Sequence, residues 1–218
     1  MVLADLPYGT TQNKWDSILP IDKLWLDFWR LCTGPIVLTA SQPFTTSLII
    51  SNPKDFRYSL IWDKTKGGNF ALAKKQPMKS HEDVLLFYKK QPTYNPQMEV
   101  RGKVRKKGGG KASTNNGIVP TISFNNEYYP TSIMRHSTGS RIDQFHPTQK
   151  PVALFEYLIR TYTNEGQLVL DNTAGSGTTA IAAINAGRRW ICIEKDETYY
   201  RAAVERVRKH ETKMKEAT

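Results

Sequence analysis

The sequence predicts an α/β fold built on a mostly parallel sheet, and three observations carry that reading. Short apolar runs of strand length alternate with segments whose apolar residues recur at i, i+3, i+4 and i+7. At 218 residues the chain suits one domain with a sizeable core. The stretch from Leu168 to Glu194 adds the order strand, glycine turn, helix, strand, acid, which is the layout of a nucleotide-type cofactor site.

Met1 to Ala4 predict a short first strand that runs into Asp5-Leu6-Pro7-Tyr8-Gly9. An acid and an aromatic on a Pro-Gly turn beyond a strand lie at the edge where ligands collect in open α/β folds; an ordinary turn is the plainer alternative. Ile21, Leu24, Trp25 and Phe28 fall on one helical face, and Gly34-Pro35 stops that helix. Ile36 to Thr39 predict a buried strand. Ser41 is placed to cap a short helix from near Pro43 to Asn52-Pro53. Tyr58 to Trp62 and Val84 to Tyr88 predict two further strands, joined through Gly67-Gly68 and Lys74-Lys75. His81 has no second His or Cys at metal spacing, so no metal site is expected.

Between Gln91 and Phe145 the composition changes. Arg101, Lys103, Arg105, Lys106, Lys107 and Lys111 crowd around Gly108-Gly109-Gly110 with little apolar content. Such a run predicts a solvated flexible loop, and it equally fits a contact that neutralises a nucleic-acid backbone. Tyr128, Tyr129, Ser132 and Arg135 follow in a loop-like region able to touch bases. His146-Pro147-Thr148-Gln149-Lys150-Pro151 then leads into a helix with Phe155, Leu158, Ile159 and Tyr162 on one face.

Leu168-Val169-Leu170 reads as a buried parallel strand ending at Asp171. Gly175 and Gly177 lie in the following turn, and Thr178 and Thr179 open an apolar helix through Ile181, Ala182, Ala183 and Ile184 to Gly187. The next strand, Trp190 to Ile193, ends in Glu194, about twenty positions beyond Asp171. Glycines let a ligand approach the backbone, and the acid can accept hydrogen bonds from two ribose hydroxyls. The candidate cofactor residues are therefore Asp171, Thr173, Ala174, Gly175, Ser176, Gly177, Thr178 and Glu194. A pyrophosphate site usually has a third glycine, and a triphosphate site a Lys after the second; Thr178, Thr179 and Ala180 provide neither. The turn thus suits a nucleoside ligand without phosphates, such as S-adenosyl-L-methionine. Tyr200, Ala203, Val204 and Val207 predict a core-facing stripe on a last helix.

Composition bounds the function. Hydrophobic residues make up 39%, and the mean hydropathy of −0.51 fits a soluble globular protein. No run approaches the ~18 apolar residues a membrane span needs. No basic-then-apolar leader is present, so a cytoplasmic location is expected. Cys32 and Cys192 lie in apolar segments and read as reduced core residues. The net charge of +11 points to a polyanionic partner, with solubility alone as the bland alternative.

Asp5-Leu6-Pro7-Tyr8, the His146–Pro151 stretch and the Asp171–Thr179 turn, in that order, resemble the amino-methylating DNA methyltransferases of the beta type. Trp62-Asp63-Lys64 and His81-Glu82-Asp83-Val84-Leu85-Leu86-Phe87 also match that family's middle strands. The resemblance covers nearly the whole chain. It implies a Rossmann-like methyltransferase fold: a mostly parallel twisted sheet, helices on both faces, one antiparallel strand, and a permuted motif order. It implies a single domain over 1–218 in which 91–145 is a basic, loop-rich insertion acting as target-recognition segment. It implies S-adenosyl-L-methionine as cofactor and double-stranded DNA as partner, with a homodimer and a cognate restriction endonuclease as further candidate partners.

In the resembling family the catalytic motif is Asp-Pro-Pro-Tyr, so Asp5, Leu6, Pro7 and Tyr8 are the implied catalytic residues. Leu6 replaces the first proline, at a position that works through its carbonyl. Asn172 and Thr173 replace the common Pro and Phe of the cofactor motif. Lys150 is an implied cofactor residue, because its stretch borders that pocket in the family. Members usually carry about twenty further residues before the catalytic motif, including an acidic turn that helps hold adenine. From the charge pattern, the candidate DNA-binding residues are Arg101, Lys103, Arg105, Lys106, Lys107, Lys111 and Arg135. Asp as first motif residue favours adenine N6 over cytosine N4. A methyltransferase for RNA or a protein glutamine, and a catalytically silent DNA-binding subunit, are the rival readings.

Overall fold

The computed structural model describes residues 1–9, 17–107, 123–138 and 149–216. In chain order the strands and helices are β1 (Val2–Asp5), α1 (Ile21–Leu31), β2 (Ile36–Ala40), α2 (Phe44–Ser51), β3 (Phe56–Gly68), β4 (Lys79–Phe87), β5 (Glu99–Lys107), β6 (Ser123–Tyr128), β7 (Ile133–Arg135), α3 (Val152–Tyr162), β8 (Leu168–Asp171), α4 (Thr178–Asn185), β9 (Arg189–Cys192) and α5 (Glu197–Glu216). By contact density the described chain forms two compact units, Met1–Asn95 with Ser132–Thr218, and Pro96–Thr131.

The larger unit is organised by a seven-stranded sheet in the order β7-β3-β4-β2-β1-β8-β9. β1 pairs in parallel with β2 and β8, and β8 with β9. β4 runs against both β2 and β3, while β3 and β7 are again parallel. One antiparallel strand in a mostly parallel sheet is the expected arrangement. Strand side chains alternate between the faces. Val2, Ala4, Ile36, Leu38, Leu85 and Phe87 pack with Trp25 and Phe28 of α1 and Phe44 and Leu48 of α2. Leu3, Val37, Val84, Leu86 and Val169 pack with Leu154, Phe155, Leu158 and Ile159 of α3 and with Ala182 and Ala183 of α4. Helices therefore cover both faces. No helix among the described residues is long and apolar enough to cross a membrane.

Local details depart from the sequence expectations in four places. Ser41 does not cap α2 with its side chain: its carbonyl accepts the Thr45 N–H, while its hydroxyl accepts Lys79 Nζ. Arg101 to Lys107 form a strand instead of a loop, because β5 finds a partner in β6, distant in sequence, with Glu99 opposite Tyr128 and Lys106 opposite Phe124. Ile133 to Arg135 are likewise a strand, completing the sheet beside β3. On α5 only Ala203 and Val207 are buried, and Tyr200 is exposed, so the core-facing stripe is narrower than its spacing predicts. β9 is an edge strand, which leaves Trp190 and Ile191 partly in solvent.

Candidate active site

The carboxyl ends of the parallel strands gather the candidate residues on one edge of the sheet. Asp5 closes β1, in register with Thr39 near the end of β2. β4 runs the other way, so its early residue Glu82, opposite Trp62, reaches the same edge. Asp5 is the centre of a network. Its Oδ1 accepts the Tyr8 hydroxyl at 2.8 Å and the Thr39 hydroxyl at 2.5 Å; its Oδ2 accepts Lys150 Nζ at 2.6 Å. Lys150 also lies 3.5 Å from Glu82 Oε2, and Lys64 Nζ is 2.5 Å from Glu82 Oε1.

Electrostatics follow from that geometry. Burial alone would lower the pKa of the Lys150 ammonium, but Asp5 and Glu82 together raise it above the ordinary lysine value. Burial would raise Glu82, but Lys150 and Lys64 outweigh it and hold the carboxyl below its usual range. Burial, then the neighbouring Asp5 charge, push the Tyr8 phenol well up, so Tyr8 stays a neutral donor.

The remaining motif residues take different places. Leu6 is buried with the side chains of the α1 face. The Tyr8 ring stacks on Phe44 at 5.4 Å between centroids, and Lys150 Nζ lies over the ring, 5.6 Å from its centroid. The half-buried ring is thus held by its apolar neighbour and its hydroxyl by Asp5. Lys150 departs from the sequence reading. Its ammonium goes to Asp5 and Glu82, and only its carbonyl, which accepts the Thr178 hydroxyl at 3.2 Å, joins it to the glycine turn.

The turn itself is heavily braced. Asp171 is buried, accepting the Thr173 N–H at 3.0 Å on one oxygen and the Thr179 hydroxyl on the other. Burial pushes its pKa up to about 6, against those two donors. Ala174 N–H donates to the Ile193 carbonyl, and Arg206 of α5 bonds the Ser176 carbonyl at 2.8 Å. Glu194 Oε2 accepts the Gly175 N–H at 2.7 Å, and Oε1 accepts the Asp196 N–H at 2.8 Å. Gly177 caps α4 with φ +73°, and a Cβ there would meet Ala203 Cβ at 3.2 Å. Its lack of a side chain thus serves the packing of α4 on α5, where the sequence reading assigned it to ligand approach. Asn172 Oδ1 and Gln149 Oε1, close in sequence to Asp171 and Lys150, are buried without a hydrogen-bond partner among the described residues. Acceptors without donors, a glycine turn and an acid at the next strand tip fit an S-adenosyl-L-methionine-type ligand, which brings an ammonium and ribose hydroxyls as donors.

Thr39, Glu82 and Lys64 were not legible as site residues. Thr39 shows only as a polar residue at the end of an apolar run, and Glu82 and Lys64 as charges among strand residues. Cys192 is half-buried, and burial raises its thiol pKa, which makes it a poor nucleophile. In the smaller unit Lys103, Arg105 and Lys106 are exposed on β5. Arg101 is paired with Glu99 and lies over the Tyr128 ring at 5.5 Å. Arg135 is an exposed residue of β7, 3.5 Å from Asp63. Lys111 and His146–Thr148 lie outside the described residues, as does all that could be said of the Lys107 side chain.

Comparison with known proteins gives a consistent picture. The DNA methylase family matches residues 1–205. The type II methyltransferase M1.MboII of Moraxella bovis is 29% identical over 93% of this chain and 86% of its own length. The DNA adenine methyltransferase YhdJ of Escherichia coli K12 is 29% identical over 95% of this chain and 75% of its own. Among solved structures, the M1.HpyAVI–SAM complex superposes with a TM-score of 0.63 at 22% identity, covering 94% of this chain and 87% of that one. The cytosine-N4-specific PvuII DNA methyltransferase superposes equally well, with a TM-score of 0.63 at 16% identity, covering 93% and 77%.

Proposed function

We propose that this chain, which belongs to the DNA methylase family, transfers a methyl group from S-adenosyl-L-methionine to the exocyclic N6 of adenine in DNA. The observation that carries the reading is the Asp5 carboxylate, fixed by Thr39 and Lys150 on the sheet edge that also bears the Asp171–Thr178 turn. An exocyclic amine is a weak nucleophile because its lone pair delocalises into the ring. An acceptor for its N–H bonds draws the nitrogen toward sp³ and exposes that pair. Asp5 is that acceptor, with the Leu6 carbonyl as the second. The base has to leave the duplex to reach them. Bound cofactor supplies the electrophilic methyl sulfonium; alignment of the two partners contributes much of the acceleration. Asn172, Gln149, Glu194 and the turn from Thr173 to Thr178 would hold the cofactor.

In the same proposal, residues 91–145 serve target recognition and the β5 cations contact the DNA backbone. A homodimer and a cognate restriction endonuclease belong to it as partners, and a cytoplasmic location as its place. Cytosine N4 is the second reading, favoured by the likeness to the PvuII enzyme. The test is incubation of unmethylated genomic DNA with labelled cofactor, followed by digestion to nucleosides and mass spectrometry. N6-methyladenine is the expected product. N4-methylcytosine would transfer the assignment to the second reading; cofactor binding without a DNA product would point to an RNA or protein substrate, and DNA binding without cofactor binding would leave a silent subunit.

A further inference from the structure

We propose that Glu82 is a positioning residue for methyl transfer: it gives Lys150 a second carboxylate, so that Lys150 can yield Asp5 Oδ2 to the amine of the target base. The inference rests on the reading of Asp5 as the acceptor for that amine.

A count of acceptor sites leads to it. An ionised carboxylate offers about four lone-pair sites. Asp5 Oδ1 has two donors, the Tyr8 and Thr39 hydroxyls. Oδ2 carries Lys150 at 2.6 Å. The site left for an incoming N–H is therefore on Oδ2, beside an ammonium. A charged donor makes the stronger hydrogen bond, so an amine competing there is at a disadvantage while Lys150 stays clamped. Lys150 has somewhere else to go. Glu82 Oε2 is 3.5 Å away and buried, with no hydrogen-bond partner among the described residues. Lys64 pins the other oxygen, Oε1, at 2.5 Å and keeps the carboxylate in place.

A buried carboxylate oxygen without a donor is uncommon, and its position next to a lysine marks a landing place. A shift of under about 1 Å brings the ammonium from the long contact to hydrogen-bond distance. The lysine stem is flexible enough for that movement. Lys64, Glu82, Lys150 and Asp5 carry two positive and two negative charges, so the shift brings no net charge into the buried cluster. Among the described residues, removal of the Glu82 charge leaves Asp5 as the single carboxylate within reach of Lys150, which holds the ammonium on the catalytic oxygen.

The experiment measures methyl transfer to unmethylated genomic DNA by the full chain and its variants, with cofactor affinity followed by calorimetry and folding by circular dichroism. Glu82→Gln is expected to lower the rate at saturating DNA and cofactor at least tenfold, with cofactor Kd within twofold of wild type. Glu82→Asp, which keeps the charge, should recover most of that rate. In a Lys150→Gln background, Glu82→Gln should lower the rate less than twofold further, since the lysine through which it acts is gone. If Glu82→Gln does not fold, Glu82→Met is the second uncharged variant, judged by the same criteria. A folded uncharged variant with the wild-type rate overturns the inference. So does a Glu82→Asp enzyme as impaired as Glu82→Gln, or a loss that multiplies in full with that of Lys150→Gln. If Lys150→Gln is silent, the comparison of Glu82→Gln with Glu82→Asp decides. Failure of the wild-type chain to methylate any DNA would defeat the proposed function instead.

Discussion

Asp5 bonds Tyr8, Thr39 and Lys150, so its replacement has consequences beyond chemistry. Asp5→Ala is expected to reduce methyl transfer at least about a hundredfold, the usual effect of losing one preorganised polar group at a reacting centre. Stability should also fall, by about 1–3 kcal/mol, because a buried ammonium loses its nearest partner while Glu82 still holds it. Cofactor affinity should change little. Activity assays, urea melts and calorimetry on the same variant check the three statements; substantial residual transfer would remove Asp5 from the mechanism. Asp171 gives a pH prediction. Its folded pKa of about 6 lies above the ordinary 3.8, so the folded state holds this proton more tightly than the unfolded chain does. The stability it contributes is fully present below the unfolded value and is lost as pH rises through about 6. Between pH 4.5 and 7.5 the wild type should therefore lose about 2 kcal/mol relative to Asp171→Asn. Paired urea melts at the two pH values check this, and a constant difference would show that Asp171 does not titrate there.

At the scale of elements, Gly177 carries the clearest test. It stands at the start of α4 with φ +73°, and a Cβ would press on Ala203 of α5. Gly177→Ala should cost about 1–2 kcal/mol from the left-handed backbone alone, plus whatever the α5 contact adds. Thermal melts should register the change, with cofactor affinity following only as far as the turn is displaced. A melting temperature equal to wild type would mean that the backbone there relaxes freely. The same elements show what was legible beforehand. α1 and α3 were readable because each buries a periodic apolar face, and β2, β8 and α4 because each is a short apolar run of fitting length; both signals are written locally. The Asp5 motif and the glycine turn were readable as contiguous strings. Thr39, Glu82 and Lys64 were not, because their meeting with Asp5 and Lys150 depends on strand order and register. The β5–β6 pair was missed for a related reason: its charged residues carry no apolar alternation, and pairing brings Glu99 opposite Tyr128.

For the whole molecule, the question is where its net charge of +11 acts. The larger unit neutralises several of its cations internally, as with Lys64 and Lys150 on Glu82 and Asp5. The smaller unit does so at Arg101, which pairs with Glu99 and lies over Tyr128. Lys103, Arg105 and Lys106 are exposed on β5, with no ion pair among the described residues. Residues on one face of an extended strand recur about every 6.6 Å, close to two steps of the 3.4 Å rise of each DNA strand. If β5 lies along the backbone, each contacting cation should add about 0.9 to the slope of log affinity against log salt. Replacing Lys103, Arg105 and Lys106 with Ala should then weaken binding about equally on cognate and unrelated duplexes, and flatten the slope by up to about 3. Cofactor affinity should hold, because the glycine turn is braced within the larger unit by Arg206 and Thr178. Titration of fluorescent duplexes across a salt series reads the slope directly. A triple variant with the wild-type slope would take the backbone contact away from β5 and leave Arg135, exposed on β7, as the next cation to test.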